Sequence, residues 1–593
     1  MTQIKNAIIS VFDKQNLDIL IPYLEKEDYH IYSTGCTMTK ILELVCNKEI
    51  VFSISNYTES PEICDGVVKI LHPRIFGGIL GIRDNSMHVD DLDYIQAKFF
   101  DLIVVNLYPF EKIYEKYEKQ EDEKYEIKEL TDYLDNFQDF KSSDNFDNFD
   151  NFDNFDKFDN FNNFDNFNNF DNSNNFDNFD NFNNLDNSED ILLENIDIDG
   201  HTLLRAGSKN YKYINVLSDP KQYADFIQGN TNRRELAKEA FKIIMKYDIA
   251  INNWLNDDKE TVGVTYNKQF TLKYGLNPYM KPSSVYTKNN QQLPFQILNG
   301  NPGYINLLDI HYAGHLVLEV KKELNMDCCA SYKHNSPAGV SIINKLSMKE
   351  YSYYNSNNLD LSPGTSTFLS TRNIDPISSF GDIIGYSGTV DREMATIIKK
   401  FVSDGIIAYD FTEEALKILK TKKKGEYLIL KQQDLYSGME FRDINGITLA
   451  QPTNDSVLDR ELLKELPKNI QSDMILGYLT LKYTQSNSVC FVYNNRVIGI
   501  GSGQQNRIDC IKIAGDKAQI WMMKHDLQIN REKNIILVSD AFLPFVDNID
   551  IALEYNVQYI LQPGGSIRDN EISAECIKHQ IDMVLTGQRI FTH

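Results

Sequence analysis

"FFDLIVVNLYPF", residues 99–110, decides how the first part of this chain folds. Residues 102–105 are continuously apolar rather than alternating, and Pro109 stops the run. A strand that is apolar at every position is buried on both faces, as in a parallel sheet covered by helices. Working outward, "NAIISVF" (6–12) is a second such run, and "HIYS" (30–33) is a shorter one that ends in "TGCT" (34–37). Beyond it Met38, Ile41, Leu42 and Val45 fall at i, i+3, i+4 and i+7, the spacing of an amphipathic helix. Strand and helix alternating in this way predict an α/β domain with a parallel sheet.

The pattern dissolves near residue 115, first into mixed charge and then into a stutter, "DNFDNFDNFDNFDKFDNF" (144–161). Ordered-looking sequence resumes with "ILLENIDIDGHTLLRAGSKNYKYINVL" (191–217), followed by a helical stretch over 233–255. The polar residues 256–269 read as a linker, and a second, longer α/β region runs from 270 to 593. With 593 residues there is chain for roughly three or four domains. A hydrophobic fraction of 42% fills real cores.

Charge is uneven. Residues 131–190 hold 16 acidic side chains against Lys141 and Lys157, so they carry −14 of the formal −25 and leave −11 for the rest. An acidic total speaks against nucleic acid or an anionic membrane as the main partner. Anionic small molecules stay open, because a few local cations and backbone amides decide their binding. The eight cysteines form no CxxC pair and no metal spacing, and are expected as buried thiols in a reducing compartment. The start "MTQIKNAIISVF" lacks a signal-peptide layout and no apolar run reaches 18 residues, so a cytoplasmic (cytosolic) location is expected.

Several short stretches could carry chemistry, each with a plainer reading. "STGCT" (33–37) joins a strand to a helix start, where free amides favour a phosphate; such turns are more often only turns. Lys69 and His72 in "VVKILHP" are of a type usually found as surface decoration. Lys333 beside His334 in "SYKHNSPAGV" could tune a general base. "QPGGSIRD" (562–569) offers a second anion cradle, a common feature of loops. His311 and His315 lie one helical turn apart without a third ligand, which makes zinc improbable and suggests a solvated or half-buried helix face. Trp254 and Trp521 read as packing residues.

Taken together these stretches resemble the bifunctional purine-biosynthesis family of aminoimidazole carboxamide ribonucleotide (AICAR) formyltransferase and inosine monophosphate (IMP) cyclohydrolase. The most specific are "KILHPRIFGGIL" (69–80), "VVNLYPF" (104–110), "IDIDGHTLLRAGSKN" (196–210), "KYGLNPY" (273–279), "SYKHNSPAGV" (331–340), "SSFGDIIG" (378–385) and "VSDGIIA" (402–408). "KYTQSNSV" (482–489), "GSGQQNRIDCIKIAGDKA" (501–518), "SDAFLPFVDNID" (539–550) and "QPGGSIRD" complete the set. The resemblance covers both ends and everything between except about 115–190. It implies an IMP cyclohydrolase domain over 1–114 and 191–255, Rossmann-like in the manner of methylglyoxal synthase, and a low-complexity insert over 115–190. The linker is 256–269, and 270–593 form a two-lobed, cytidine-deaminase-like formyltransferase region.

By the same resemblance, Lys69, Tyr108, Asp197 and Lys209 surround the ring-closing groups, with Lys209 moving a proton. The nucleotide there would lie against Phe12, Asp13 and Lys14, the turn Thr34, Gly35, Cys36 and Thr37, the loop Val67, Val68, Lys69 and Ile70, then Val105, Asn106, Asp197 and Ile198. In the second region His334 is implied as base, Lys333 as stabiliser of the oxyanion or helper of the leaving nitrogen, and Asn487 as orienting residue. Ribonucleotide contacts carried over are Lys273, Tyr274, His334, Gly381, Asp404, Asn487, Arg507, Asp547 and Arg589; folate contacts are Ile508, Phe542, Ser566 and Ile567. The co-substrate implied is 10-formyltetrahydrofolate, with no catalytic metal. The partners implied are AICAR, its formylated product and IMP, in a homodimer whose formyltransferase sites lie at the subunit interface.

This chain departs from the family pattern at several nucleotide contacts. Lys273 stands for an arginine and loses the bidentate fork; Tyr279 and Met280 replace His–Gln. Val67 replaces a phosphate-binding arginine. Cys36 and Asp199 replace glycines, which predicts strained turns if φ must be positive there, and Asp199 would bring a carboxylate near a phosphate. Two alternatives therefore stand beside the bienzyme: a formyltransferase with a decayed cyclohydrolase, or a nucleotide-binding scaffold that assembles through the repeat. The repeat holds 14 phenylalanines between 131 and 190, but a period of three makes no single apolar stripe. A disordered surface loop is expected, tolerated because closure entropy grows slowly with length.

Overall fold

The structure, a computed structural model, describes residues 4–61, 63, 69–116, 188–256, 260–289, 291–343, 345–354, 360–433, 435–527 and 534–593. Most of the D/N/F-rich stretch (117–187), together with Val67 and Val68, lies outside the described residues. The chain forms two compact units, Met1–Thr265 and Tyr266–His593. The second unit begins with a strand at Tyr266, inside the stretch 256–269.

In the first unit, β1 (Lys5–Val11), β2 (Tyr29–Ser33), β3 (Val51–Ser53), β4 (Leu102–Asn106) and β5 (Asn215–Leu217) make a wholly parallel sheet in the order β3-β2-β1-β4-β5. The apolar runs at 6–12 and 102–105 are its two central strands. Because successive side chains point to opposite faces, Ala7, Ile9, Val11, Leu102 and Val104 pack on one side, in a cluster with Leu17, Leu20, Ile21, Leu24 and Phe226. Ile8, Ile103 and Val105 pack on the other, with Ile75, Ile79, Leu203, Leu204 and Ile244. The helical stretch expected over 233–255 is a helix, Arg233–Leu255, opened by Asn232, whose side chain accepts the Arg234 and Glu235 amides.

The second unit starts with an antiparallel ribbon, β6 (Tyr266–Leu272) and β7 (Ser283–Lys288). Its body is an eleven-stranded mixed sheet of β8 (Phe295–Asn299), β9 (Cys329–Lys333), β10 (Ser336–Ser341), β11 (Asp382–Val390), β12 (Ser403–Phe411) and β13 (Leu428–Gln432), then β16 (Val489–Val492), β17 (Arg496–Gly501), β18 (Ile535–Ser539), β19 (Val557–Gln562) and β20 (Asp582–Leu585). A second ribbon, β14 (Met439–Ile444) and β15 (Ile447–Pro452), lies between them in sequence. The sheet order is β20-β19-β18-β16-β17-β10-β9-β11-β12-β13-β8.

That order is nearly a palindrome. Outward from the central antiparallel pair β10–β17, each half runs through the other strand of a hairpin and then three mutually parallel strands: β9, β11, β12, β13 on one side and β16, β18, β19, β20 on the other. Each half is preceded by a long helix, Tyr304–Leu324 or Lys468–Lys482, and these two share one core cluster on one face. Their ion pair, Lys482 to Glu319 at 2.6 Å, is buried, and Tyr483 donates to the same carboxylate at 2.6 Å. On the opposite face each half has its own core. Trp521 is buried there, stacked on His525 at 4.2 Å, and Trp254 packs in the first unit against Phe110.

Candidate active sites

In the first unit the chain leaves β1 toward β2 and crosses from β3 back to β4, so a crevice opens beyond the C-terminal ends of β1 and β4. Asn106, closing β4, clamps the loop after β1: its Oδ1 accepts the Asp13 amide at 2.8 Å and its Nδ2 donates to the Asp13 carbonyl at 2.9 Å. Phe12 meets Tyr108 edge-on at 5.5 Å, and Lys14 Nζ donates to the Phe12 carbonyl. After β2, Thr34 is extended and opens the helix Gly35–Leu44, with Gly35 at φ +48°. The Thr37 hydroxyl ties that first turn to the Val11 carbonyl at 3.0 Å. Amides at the start of a ten-residue helix carry partial positive charge. Lys69 Nζ stands beside them, 3.8 Å from where a Cβ on Gly35 would lie.

Tyr108, Asp197, Asp199 and Cys36 gather at the same place. Burial first, then the charges of Asp197, Asp199 and Cys36, push the Tyr108 hydroxyl up. Burial also raises the Asp197 carboxyl, against the pull of the Gly200 amide, which donates to it at 2.7 Å. Asp197 is placed by its own amide, which donates to the Tyr247 hydroxyl at 2.8 Å. Ile70 and Val105 are buried beneath, and Ile198 is exposed at the rim.

The strain expected at Cys36 and Asp199 is absent. Neither has a positive φ, because both lie in the first turn of a helix, where right-handed backbone needs no glycine. The Asp199 carboxylate accepts the Lys69 amide at 2.9 Å and the Ile70 amide at 3.2 Å, so it pins the lysine-bearing loop. Lys209 ends the same helix, about 15 Å farther along its axis at ~1.5 Å per residue, and is exposed. One chain by itself does not bring Lys209 to the Tyr108–Asp197 group. His72 caps the helix Pro73–Leu80 through its ring, which accepts the Arg74 amide.

In the second unit, strand directions put one set of ends on a single edge of the sheet: the C-termini of β9, β17, β18, β19 and β20 and the N-termini of β10, β11, β12 and β16. Lys333 ends β9 and His334 follows it, Gly381 precedes β11, Asp404 follows Ser403 at the start of β12, and Asn487 precedes β16. Arg507 and Ile508 start the helix after β17, Phe542 and Asp547 follow β18, Ser566 and Ile567 follow β19, and Arg589 follows β20. Stretches up to 256 residues apart thus converge on one edge. Lys273 and Tyr274 lie on the loop of the separate β6–β7 ribbon and not on that edge.

Two buried ion pairs underlie this edge. Arg507 Nη1 meets Asp540 at 2.5 Å and the Ser488 carbonyl at 2.9 Å, while its Nη2 donates to Asn487 Oδ1 at 3.1 Å. Asp540 also accepts the Ser488 amide and hydroxyl. Arg372 pairs with Asp382 at 3.2 Å, and Asp382 accepts the Ser331 hydroxyl at 2.6 Å. Burial raises the Asp382 carboxyl to about 6 despite that pair. Lys333 Nζ donates to the Phe380 carbonyl at 2.7 Å, next to Gly381, and Lys423 pairs with Asp404 at 2.5 Å. Arg589 stacks over Phe591 at 4.7 Å. Ile567 is fully exposed and Phe542 half-exposed, apolar groups offered to solvent.

His334 and Asn335 form the hairpin turn with φ of +56° and +59°. Left-handed backbone costs a residue with a Cβ about 1–2 kcal/mol, so the surroundings must hold the turn. The Asp309 carboxylate does so, accepting the Asn335 amide at 2.8 Å.

Three sequence expectations need correction. The "QPGGSIRD" cradle is filled from within, since Asp569 accepts the Gly565 amide at 2.7 Å and the Ser566 amide at 3.1 Å. Cys36 and Cys46 are exposed, while Cys328, Cys329, Cys490, Cys510 and Cys576 are buried as expected. His315 is a core residue rather than a solvated one: its Nδ1 bonds the His311 carbonyl at 2.9 Å and its Nε2 takes the Tyr436 amide at 3.4 Å. His311, by contrast, is exposed as expected and borders a cavity of about 1080 Å³. Among the described residues no group of three or more His, Cys, Asp or Glu side chains could hold a metal, and no helix is long and apolar enough to cross a membrane. Sequence reasoning missed Asp309, Arg372, Asp382 and Asp540. The available signal was an acid inside an apolar run, which is rare in a core unless paired.

A crossover crevice in the first unit and a sheet edge gathering Lys333, His334, Asn487 and Arg507 in the second give this α/β chain a candidate site in each unit. Residues 207–517 match the model of the AICARFT/IMPCHase bienzyme. Proteins named bifunctional purine biosynthesis protein PurH match end to end: from Prochlorococcus marinus (strain MIT 9312) at 31% identity over 99% of both chains, and from Clostridium botulinum (strain Loch Maree / Type A3) at 32% over 100% of both. A crystal structure titled ForH aligns with 43% of this chain at 18% identity and TM-score 0.27, too slight a likeness to bear on the fold. The chain belongs to the AICARFT/IMPCHase bienzyme family, and with it to purine biosynthesis, as a formyltransferase using a formyl-folate co-substrate and as an IMP cyclohydrolase.

Proposed function

We propose that the second unit transfers the formyl group of 10-formyltetrahydrofolate to the 5-amino group of AICAR, and that the first unit closes the product to IMP. The observation that carries this reading is the convergence of Lys333, His334, Asn487 and Arg507 on one sheet edge. The AICAR amine is conjugated with the carboxamide, so its lone pair is delocalised and a base must take its proton as it attacks. His334, exposed on its turn, is placed to be that base. The amine nitrogen bonds to the formyl carbon, the C–N bond to folate breaks, and the folate nitrogen takes up a proton. Lys333 supplies a positive charge for the transient oxyanion. Arg507, locked by Asp540, orients Asn487 and presents a fixed cation.

For ring closure, the carboxamide nitrogen attacks the formyl carbon and water leaves. Lys69 and the helix-start amides suit a phosphate or a polarised oxygen, and Tyr108 with Asp197 suits proton handling. Lys209 would join them only from a second copy or after rearrangement. In this reading the units are the methylglyoxal-synthase-like and cytidine-deaminase-like folds of the family, and the enzyme is a cytosolic homodimer. Assaying the two reactions separately on His334→Ala tests the assignment. Formyl transfer should fall by about 10²–10⁴-fold with ring closure intact; formyl transfer at the wild-type rate would remove His334 as the base.

A further inference from the structure

The two hairpins at the centre of the large sheet are built alike. In one, β9 turns into β10 through His334 and Asn335, both left-handed; in the other, β16 turns into β17 through Asn494 and Asn495, at φ +48° and +63°. Each turn is held from the same layer by an acid of a long helix. Asp309, in Tyr304–Leu324, accepts the Asn335 amide at 2.8 Å, and Asp473, in Lys468–Lys482, accepts the Asn495 amide at 2.7 Å. The preceding amides, of His334 and Asn494, face the same carboxylates. Asp309 is 5% exposed and Asp473 3%. Burying an ionisable acid is costly unless it is bonded, and here the bonds are spent on backbone that would otherwise resist its conformation.

Asparagine's short amide can hydrogen-bond locally in left-handed backbone; histidine also occurs there, but its bulkier ring lacks that local compensation. The Asn494–Asn495 turn therefore suits its own geometry, whereas the His334 turn depends on the carboxylate. We infer that Asp309 is a positioning residue for formyl transfer: it fixes the turn that aims the His334 ring over the sheet edge, and Asp473 is its silent counterpart. This rests on the proposed role of His334.

The test uses the full-length enzyme. Asp309→Ala should lower the kcat of formyl transfer tenfold or more, with KM for AICAR within about twofold and ring closure unchanged. Asp309→Asn keeps one acceptor oxygen and should recover most of the loss. Asn335→Gly, which favours the left-handed turn, should partly rescue Asp309→Ala. Asp473→Ala, matched for loss of thermal stability, should leave kcat within twofold. If Asp309→Ala keeps wild-type kcat, or if Asp473→Ala lowers kcat as much, the inference is overturned. If Asp309→Ala does not fold, Asp309→Leu, which fills the space but accepts no amide, decides: a kcat loss of about tenfold or more with normal ring closure supports the role, and wild-type kcat ends it. Failure of the base assignment is a separate result, seen as formyl transfer surviving His334→Ala.

Discussion

In the proposed reading the two units meet the same demand, an anion held at a strand edge, by opposite means. The first uses the crossover of a parallel sheet, where helix-start amides and one ammonium, Lys69, face the crevice. The second uses the edge of a mixed sheet and takes its cations from buried pairs, Arg507–Asp540 and Arg372–Asp382. Backbone amides cost no side-chain entropy to order but are easily claimed by a neighbouring acid, as Asp199 claims those of Lys69 and Ile70. Each buried arginine is held by a carboxylate of its own from the start, and fails once that partner is lost. The contrast teaches where each unit is vulnerable: the first at its loop, the second at its core.

The sharpest way to break the contrast is Asp540→Ala. Leaving Arg507 buried without its carboxylate should cost about 3–5 kcal/mol in denaturant unfolding and abolish formyl transfer, whereas ring closure in the folded fraction should survive. Next, Lys69→Ala should reduce ring closure by about 10²–10³-fold without measurable loss of stability. Lys209→Ala, assayed beside it, should show a far smaller effect in a monomeric preparation than in a dimeric one if a second copy supplies that lysine.

A smaller effect separates the two hairpins. Burial raises the Asp473 carboxyl to about 7. An acid with a raised folded pKa is neutral in both states only below about pH 3, and stability is lost as pH rises from about 4 through 7. Asp473→Asn should therefore match the wild type near pH 3, gain on it between about pH 4 and 7 and level off above, by up to about 4 kcal/mol at ~1.4 kcal/mol per pKa unit. An advantage that is flat with pH would mean the carboxyl titrates normally. Smallest of all, deleting 131–190 should leave ring closure within twofold; a large loss would show that the insert shapes the crevice.

Much of the first unit was legible in the sequence because its strands are apolar throughout and its long helix opens on a good cap, Asn232. The eleven-stranded sheet was not, since β10 pairs with β17 and β13 with β8 across more than a hundred residues and nothing local announces their order. Site residues in quoted motifs were found through resemblance. Asp309 carries no motif, and Asp540, though inside "SDAFLPFVDNID", has no role legible there; the meaning of both lies in which amide or guanidinium reaches them. The strain foreseen at Cys36 and Asp199 failed for a related reason: a glycine elsewhere does not reveal the backbone angle here.

Around the insert, the helical residues 110–116 and the helix Ser188–Glu194 pack into one cluster, Phe110 and Ile113 against Leu192, with Tyr247 and Ala250 behind them. Tyr247 is also the residue that receives the Asp197 amide. The chain thus departs and returns through a clasp that shares a side chain with the catalytic crevice. If the deletion leaves ring closure intact, the clasp is a buffer for inheritance: triplets of aspartate, asparagine and phenylalanine could then be gained or lost between its jaws, and selection acting on purine synthesis would register the jaws but not the tally.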